Sequence, residues 1–280
     1  MEKEDLLWYD IRAMEKIRIY AREIWQIVNP LLIFFGVTAA VVSGFGILWM
    51  MFGSRLGFLY SHLEDVNLLL SSAAALWAAW ILWKIDGREQ VWYGELRRKL
   101  PGRAVFPCVG AAVGASMAGN CLLSLLRVTE LSGTGQVETA LRLGSPAVVV
   151  FSTCLAAPLA EEMVFRALIY RRLRRKTGPA ASIAISALLF ALYHGNLSQG
   201  LYALFVGAVL AVLMEMYGTV TAPLLAHVAG NGLSVLLTWA GAGEFLSGGM
   251  VRRGAAVVIF GGLLCVSLRQ APRDARSSKN

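Results

Sequence analysis

Seven long stretches of the chain contain no charged residue, and this feature most restricts how it can fold. They are residues 24–54, 66–83, 104–126, 143–160, 177–214, 216–243 and 254–268. A helix needs about 20 apolar residues to cross the hydrocarbon core of a bilayer. Hydrophobic residues make up 57% of the chain and charged residues 16%, a balance typical of membrane proteins. We therefore predict an all-α integral membrane protein.

The number of spanning helices follows from the lengths of these stretches. Residues 177–214 suffice for two spans, and a cluster of glycine, asparagine, serine and glutamine at 195–200 places the turn between them. The last stretch, 254–268, is shorter than a usual span. The sequence thus predicts a bundle of about eight transmembrane helices, three within 29–126 and a core of five within 143–268.

Positive charge is distributed unevenly between the predicted loops. With a cytoplasmic N-terminus, the inside segments carry nineteen Lys and Arg residues and the outside loops carry five. Cytoplasmic loops are enriched in these residues, so both termini, including the tail 269–280, are predicted to be cytoplasmic, with the plasma membrane as the expected location. The net charge of +8 is explained by this topology, and no nucleic-acid partner is expected. Membrane lipid is an expected partner, and the basic cluster at 171–176 is a candidate contact for anionic lipid.

Residues 1–28 have the periodicity of an amphipathic helix. Apolar side chains such as Leu7, Ile11 and Ile17 share one face, and basic side chains lie off it. We predict a helix on the cytoplasmic membrane surface, with a partner-binding helix as the alternative. No small-residue cleavage site follows, so the segment is not expected to be a signal peptide.

The third stretch contains small and polar residues that predict helix contacts. Gly110 and Gly114 are four residues apart, a spacing that allows two helices to approach closely. Asn120 is expected to make a hydrogen bond between helices. The four cysteines of the chain lack any paired spacing, so neither a disulfide framework nor a zinc motif is predicted.

Two adjacent glutamates, Glu161 and Glu162, directly follow the uncharged stretch 143–160 and precede further apolar residues. An ionisable side chain inside a span costs about 2.5–3.5 kcal/mol and usually marks a functional site. Glu162 and Arg166 are spaced i,i+4, which favours an ion pair within a helix. We expect Arg166 to hold Glu162 ionised while Glu161 projects into a cavity, just after a kink at Pro158. The alternative is that both carboxylates are interfacial.

Two of the three histidines lie in later apolar stretches. His194 follows Phe190 by one helical turn, and two residues with this spacing share a helix face. His227 precedes Asn231 by the same spacing. A single histidine on an apolar helix is as often a packing residue as a catalyst. At 1.5 Å per residue from the expected boundaries, Glu161, His194 and His227 lie about 10–17 Å deep, so three helices can bring them to one level of the bilayer.

These groups are those of a peptide hydrolase. A carboxylate and a neutral imidazole can together hold and deprotonate a water molecule. A second imidazole and an amide can donate hydrogen bonds to a developing oxyanion.

Three segments resemble the signatures of the CAAX-protease and bacteriocin-processing (CPBP) family of intramembrane endopeptidases, which includes the type II CAAX prenyl endopeptidases. They are Glu161-Glu162-Met-Val-Phe-Arg166, Phe190-Ala-Leu-Tyr-His194 and His227-Val-Ala-Gly-Asn231. The three occur in order on separate predicted spans, and the resemblance covers about 143–240. It implies an eight-helix bundle with a cavity in the membrane and a glutamate-dependent endopeptidase activity.

The resemblance also implies a role for each signature residue. Glu161 would be the general base, and His194 would help to orient the attacking water. His227 and Asn231 would stabilise the oxyanion. The supporting residues would be Glu162, Arg166 and Phe190.

A zinc site is an alternative arrangement of the same residues. Glu161, His194 and His227 could bind the metal and leave one coordination position open. Neither histidine lies in a His-Glu-x-x-His motif, and Asn231 would then have no role. The resemblance favours a metal-free mechanism, so no cofactor is expected, with zinc as the alternative.

Two functions of other classes are alternatives to the protease. One is a non-catalytic membrane protein of the same fold, acting as an immunity factor or scaffold. The other is a transporter or proton relay that uses Glu161, Glu215 and the histidines, but the chain has no repeated half. Glu215 is expected to be an interfacial anchor. For the protease, the expected partner is a peptide or membrane-anchored protein substrate: a prenylated CAAX protein, a pheromone precursor or a bacteriocin leader. The sequence predicts no oligomeric state.

Overall fold

The computed structural model describes residues 3–55, 57, 61–86, 99–128, 135–242 and 249–270, and these residues form helices and turns without any strand. Most of the predicted tail 269–280 and the first two residues lie outside the described residues, as do the side chains of Leu7 and Ile11. Nine helices are found in the described ranges. They are α1 (Lys3–Phe52), α2 (Leu63–Asp86), α3 (Val105–Leu125), α4 (Gly135–Leu143), α5 (Pro146–Arg174), α6 (Pro179–Tyr193), α7 (Leu197–Tyr217), α8 (Thr221–Trp239) and α9 (Met250–Arg269).

Six of these helices are long and apolar enough to cross a membrane. This confirms an all-helical protein and indicates a multi-pass membrane protein. The six spans lie in α1, α2, α3, α5, α7 and α9. The predicted count of eight would need α6 and α8 as well. Helix α6 has 15 residues, about 22 Å of helix, which is less than the thickness of the hydrocarbon core.

The N-terminal segment and the first span are not separate helices. From Lys3 onward the predicted amphipathic segment belongs to the same helix as the first span, since α1 continues without interruption through Pro30. Its position on the membrane surface stays a prediction. Proline cannot donate a backbone hydrogen bond to the carbonyl four residues earlier, which is that of Gln26. Arg172 of α5 donates to this carbonyl and also to Oδ1 of Asn29, 3.2 Å away. A side chain from another helix therefore satisfies the acceptor that proline leaves free.

The basic cluster at the end of α5 contacts protein at several points. Arg171 donates to the carbonyl of Gly218 at 2.9 Å, and Lys176 pairs with Glu23 of α1 at 3.1 Å. These contacts join the end of α5 to α1 and α7. Contact of the cluster with anionic lipid stays a prediction.

The glycine pair of α3 packs against α9, which confirms the predicted close helix contact. A Cβ atom at Gly114 would lie 2.7 Å from the backbone nitrogen of Leu264 and 2.8 Å from the carbonyl oxygen of Phe260. A Cβ at Gly110 would lie 2.4 Å from Oγ of Ser267. The two backbones are thus too close for any side chain at Gly114.

A side chain at Gly114 is therefore expected to destabilise the fold. We expect Gly114→Leu to reduce the free energy of unfolding by about 1–3 kcal/mol, because α9 must move to admit it. Unfolding of the purified protein in detergent micelles measures this change. Gly36→Leu in α1 is the matched control, since no atom lies within 4 Å of a Cβ placed there. Equal stability of the two variants would contradict the prediction.

The central helix α5 is irregular on both sides of the two glutamates. Wide, π-type turns occupy Val150–Ala156 and Met163–Tyr170, and a short α-helical segment, Ala157–Glu162, lies between them. Pro158 cannot donate to the carbonyl of Cys154, and the kink expected there from the sequence stays a prediction. Wide turns are frequent at functional sites because they redirect side chains within a helix.

Candidate active site

The first part of the site is an ion pair within α5. Glu162 and Arg166 are both fully buried, and Nη1 of Arg166 lies 3.2 Å from Oε1 of Glu162. Nη2 of Arg166 donates to the carbonyl of Gly207 in α7 at 3.1 Å, and the guanidinium lies over the ring of Phe190, 4.4 Å from its centroid. The i,i+4 pair predicted from the sequence is confirmed, and it is anchored to two other helices.

His227 of α8 lies between the two glutamates of α5. Its Nδ1 is 2.8 Å from Oε1 of Glu162, and its Nε2 is 3.7 Å from Oε2 of Glu161. An ionised carboxylate can only accept a hydrogen bond, so Nδ1 is the donor to Glu162 and Nε2 is the nitrogen directed towards Glu161. The sequence predicts that Arg166 holds Glu162. The structure adds a second partner, because Glu162 binds both Arg166 and His227.

His194 lies just beyond the end of α6. Its backbone nitrogen bonds to the carbonyl of Ala191, and the next residue, Gly195, has a φ of 65°. Glycine adopts this left-handed conformation readily, which ends the helix at the turn predicted for 195–200. Asn196 then accepts a hydrogen bond from the backbone nitrogen of Gln199 at the start of α7. The site residue is therefore held at a helix end rather than within a span.

The ring of His194 has a defined orientation. Its Nδ1 is 2.8 Å from the carbonyl oxygen of Phe190, which can only accept, so Nδ1 is the donor and Nε2 of the neutral ring has a free lone pair. The imidazole also packs edge-on against the ring of Phe190, with centroids 4.8 Å apart. His227 packs on the same ring, with centroids 6.0 Å apart. Both histidines thus pack against Phe190.

Asn231 connects α8 to the first wide turn of α5. Its Nδ2 donates to the carbonyl of Thr153 at 2.8 Å. An amide nitrogen carries two hydrogens, so this bond leaves one for another acceptor. Asn231 and His227 also line a cavity of about 10 Å³, roughly the space of one water molecule. Ser116 of α3 and Tyr202 of α7 contribute to the wall of this cavity.

Several residues around the site carried no usable sequence signal. Ser116, Tyr202 and Gly207 lie outside the three signature segments, and only their packing reveals them. The Tyr202 hydroxyl contacts Asn120 of α3, which fits the interhelical hydrogen bond expected for that asparagine. Asn120, a polar residue deep in a predicted span, was the one sequence signal available for this part of the site.

Glu215 lies in a separate cluster. It accepts from the hydroxyl of Tyr170 at 2.6 Å and from Nε and Nη2 of Arg174 at 3.0 and 3.1 Å. These bonds join the end of α5 to the end of α7, as expected for an interfacial anchor. They do not connect Glu215 to the histidines.

A metal ion has no evident ligand set in the described part of the chain. No group of three or more His, Cys, Asp and Glu side chains is placed to hold one there. Glu161 and His227 are neighbours, and Nδ1 of His194 is bonded to the carbonyl of Phe190, which leaves Nε2 of His194 available. The alternative of a zinc site formed by Glu161, His194 and His227 stays a prediction.

The same part of the chain matches a known family model. Residues 143–233 match the family model of type II CAAX prenyl endopeptidases, Rce1-like. The Rce1-like match begins at the last residue of α4 and ends within α8, so it contains all the signature residues of the predicted site. It covers about a third of the chain and leaves α1, α2, α3 and α9 outside. No curated protein and no solved structure matched the chain.

Proposed function

We propose that this protein is an intramembrane endopeptidase that cleaves a peptide bond with water activated by Glu161. The observation that carries the proposal is the position of His227 between Glu161 and Glu162. This contact joins two of the three signature segments, and Phe190 joins the third to them. The match to the Rce1-like family supports the same activity.

In the proposed mechanism, Glu161 removes a proton from a water molecule whose oxygen attacks the carbonyl carbon of the substrate. The free lone pair on Nε2 of His194 accepts the other hydrogen of that water and orients it. Glu161, with a side chain 13% exposed, is the more accessible of the two carboxylates. It then passes the proton to the leaving amine as the carbon–nitrogen bond breaks, so protons balance without a further reactant.

The charge that develops on the carbonyl oxygen needs hydrogen-bond donors. The second hydrogen on Nδ2 of Asn231 is one, because the first is used by Thr153. His227, held by Glu162 at Nδ1, is the second proposed donor and acts through Nε2. Such donors act strongly in a site from which water is excluded.

Replacing Asn231 tests the oxyanion role. We expect Asn231→Ala to reduce kcat by about 10²- to 10³-fold, the usual effect of removing one oxyanion donor. Initial rates of peptide release in liposomes measure this. Asn29→Ala in α1, which also removes an amide that bonds to another helix, is the control and should keep its activity. A similar loss in both variants would mean that the effect is structural.

The proposed substrate is a peptide or a membrane-anchored protein cut near the cytoplasmic side, as in CAAX-type or bacteriocin- and pheromone-type processing. The test is reconstitution of the purified protein in liposomes with two probes, a prenylated C-terminal peptide and an unmodified leader peptide. Mass spectrometry of released fragments identifies the bond that is cut. Absence of fragments from both probes, compared with empty liposomes, would contradict the proposal and favour a non-catalytic protein of the same fold.

A further inference from the structure

Gly207 is a glycine in the interior of α7, outside all three signature segments. Glycine is the least favourable residue in a helix interior after proline, so its presence there calls for a packing reason. A Cβ atom at this position would lie 2.8 Å from Cδ1 of Phe190, 3.4 Å from Nη2 of Arg166 and 3.6 Å from Cα of Ala187. The first distance is shorter than real Cβ contacts, so Phe190 would have to move.

Phe190 is buried among aromatic and charged side chains. It is 2% exposed, and the Arg166 guanidinium lies over its ring. Phe165 packs edge-on against it, with centroids 5.0 Å apart. His194 and His227 are both in edge-on contact with the same ring. A displacement of Phe190 is therefore passed to the imidazoles or to Arg166.

The backbone of Gly207 acts on the site by a second route. Its carbonyl accepts the hydrogen bond from Nη2 of Arg166, and Arg166 pairs with Glu162. Glu162 in turn accepts from Nδ1 of His227. Gly207 thus sets the position of Phe190, on which both histidine rings pack. It also sets the position of Arg166, which pairs with Glu162.

We infer that Gly207 is a positioning residue, which orients His194 and His227 through Phe190 and Arg166. Its effect on turnover rests on the proposed function, but its effect on the imidazoles does not. Because a misplacement of about 1 Å can reduce a rate about 100-fold, a single methyl group here is sufficient to impair the site.

The test is Gly207→Ala in the full chain, with histidine nitrogens labelled by nitrogen-15 and observed by NMR in detergent micelles. The chain has only three histidines, so their ring signals can be told apart. His62, which is exposed just before α2, is the internal reference. We expect the signals of His194 and His227 to shift and that of His62 to stay. Unchanged signals of His194 and His227 would overturn the inference.

The matched control is Gly261→Ala in α9, where a Cβ would meet no atom within 4 Å. It should leave all three ring signals unchanged; shifts equal to those of Gly207→Ala would overturn the inference. If Gly207→Ala does not fold, the double variant Gly207→Ala/Phe190→Val, which lacks the clashing ring carbon, should restore folding. Failure of the double variant to fold would also overturn the inference.

Kinetics separate this inference from the proposed function. With an active wild-type protein, Gly207→Ala should reduce kcat by about 100-fold and leave KM within a few-fold of the wild type. If the ring signals shift in Gly207→Ala but the wild-type protein cleaves neither probe, the positioning role is supported and the proteolytic function is contradicted. Wild-type turnover with unchanged signals would contradict only the role of Gly207.

Discussion

Replacing Glu161 with glutamine is expected to reduce peptide cleavage by about 10²- to 10⁴-fold, the contribution of a general base, while the protein stays folded. Glutamine has the shape of glutamate but cannot take a proton from water. The Glu161 side chain is 13% exposed and lies 3.7 Å from Nε2 of His227, so little packing depends on its charge. Fragment release from reconstituted liposomes measures the loss.

The control for this variant is Glu138→Gln in α4, which changes an exposed glutamate paired with Arg142 at 2.9 Å. It should cleave at the wild-type rate. Cleavage by Glu161→Gln at the wild-type rate would remove Glu161 as the base. In cells, rescue of the phenotype by Glu161→Gln would instead favour the scaffold or immunity function.

Replacing Arg166 with methionine is expected to cause the largest loss of stability, about 3–5 kcal/mol in the free energy of unfolding. Methionine fills much of the volume of arginine but leaves the carboxylate of Glu162 without its cation. Arg166 and Glu162 are both fully buried, so water cannot replace the lost partner. Unfolding of the purified protein in micelles measures the difference.

Arg174→Met on the same helix is the matched control. The Arg174 and Glu215 side chains are 31% and 24% exposed, so solvent screens their pair and its loss should cost about 1 kcal/mol or less. The double variant Glu162→Gln/Arg166→Met should recover part of the stability, because it buries no unpaired charge. A loss in Arg166→Met no larger than in Arg174→Met would show that the buried pair contributes little.

Part of the site was predictable because helical periodicity is a local property. A spacing of four residues places two side chains on one helix face, which is sufficient to expect the contacts of Glu162 with Arg166 and of Phe190 with His194. The turn at 195–200 was predictable for a similar reason, since glycine and asparagine end and begin helices by local geometry.

Contacts between helices were harder to predict. The sequence placed two histidines and two glutamates at a similar depth in the bilayer, but depth alone does not determine which helix faces are in contact. That Nδ1 of His227 bonds to Glu162 rather than to Glu161 depends on the rotation of α8 against α5. The continuity of α1 through Pro30 also involves a second helix, because Arg172 of α5 donates to the carbonyl of Gln26 that proline leaves without a partner.

The sequence by itself determined an all-helical protein with long apolar spans and three polar segments that resemble those of a protease family, because hydropathy and motif spacing can be read along one chain. The tertiary structure decided which of these groups touch. It made Glu162 the shared partner of Arg166 and His227, and it gave Gly207 a place beside Phe190. The physical reason is that hydrogen bonds and close packing depend on distances of a few ångströms between helices, which no local pattern encodes.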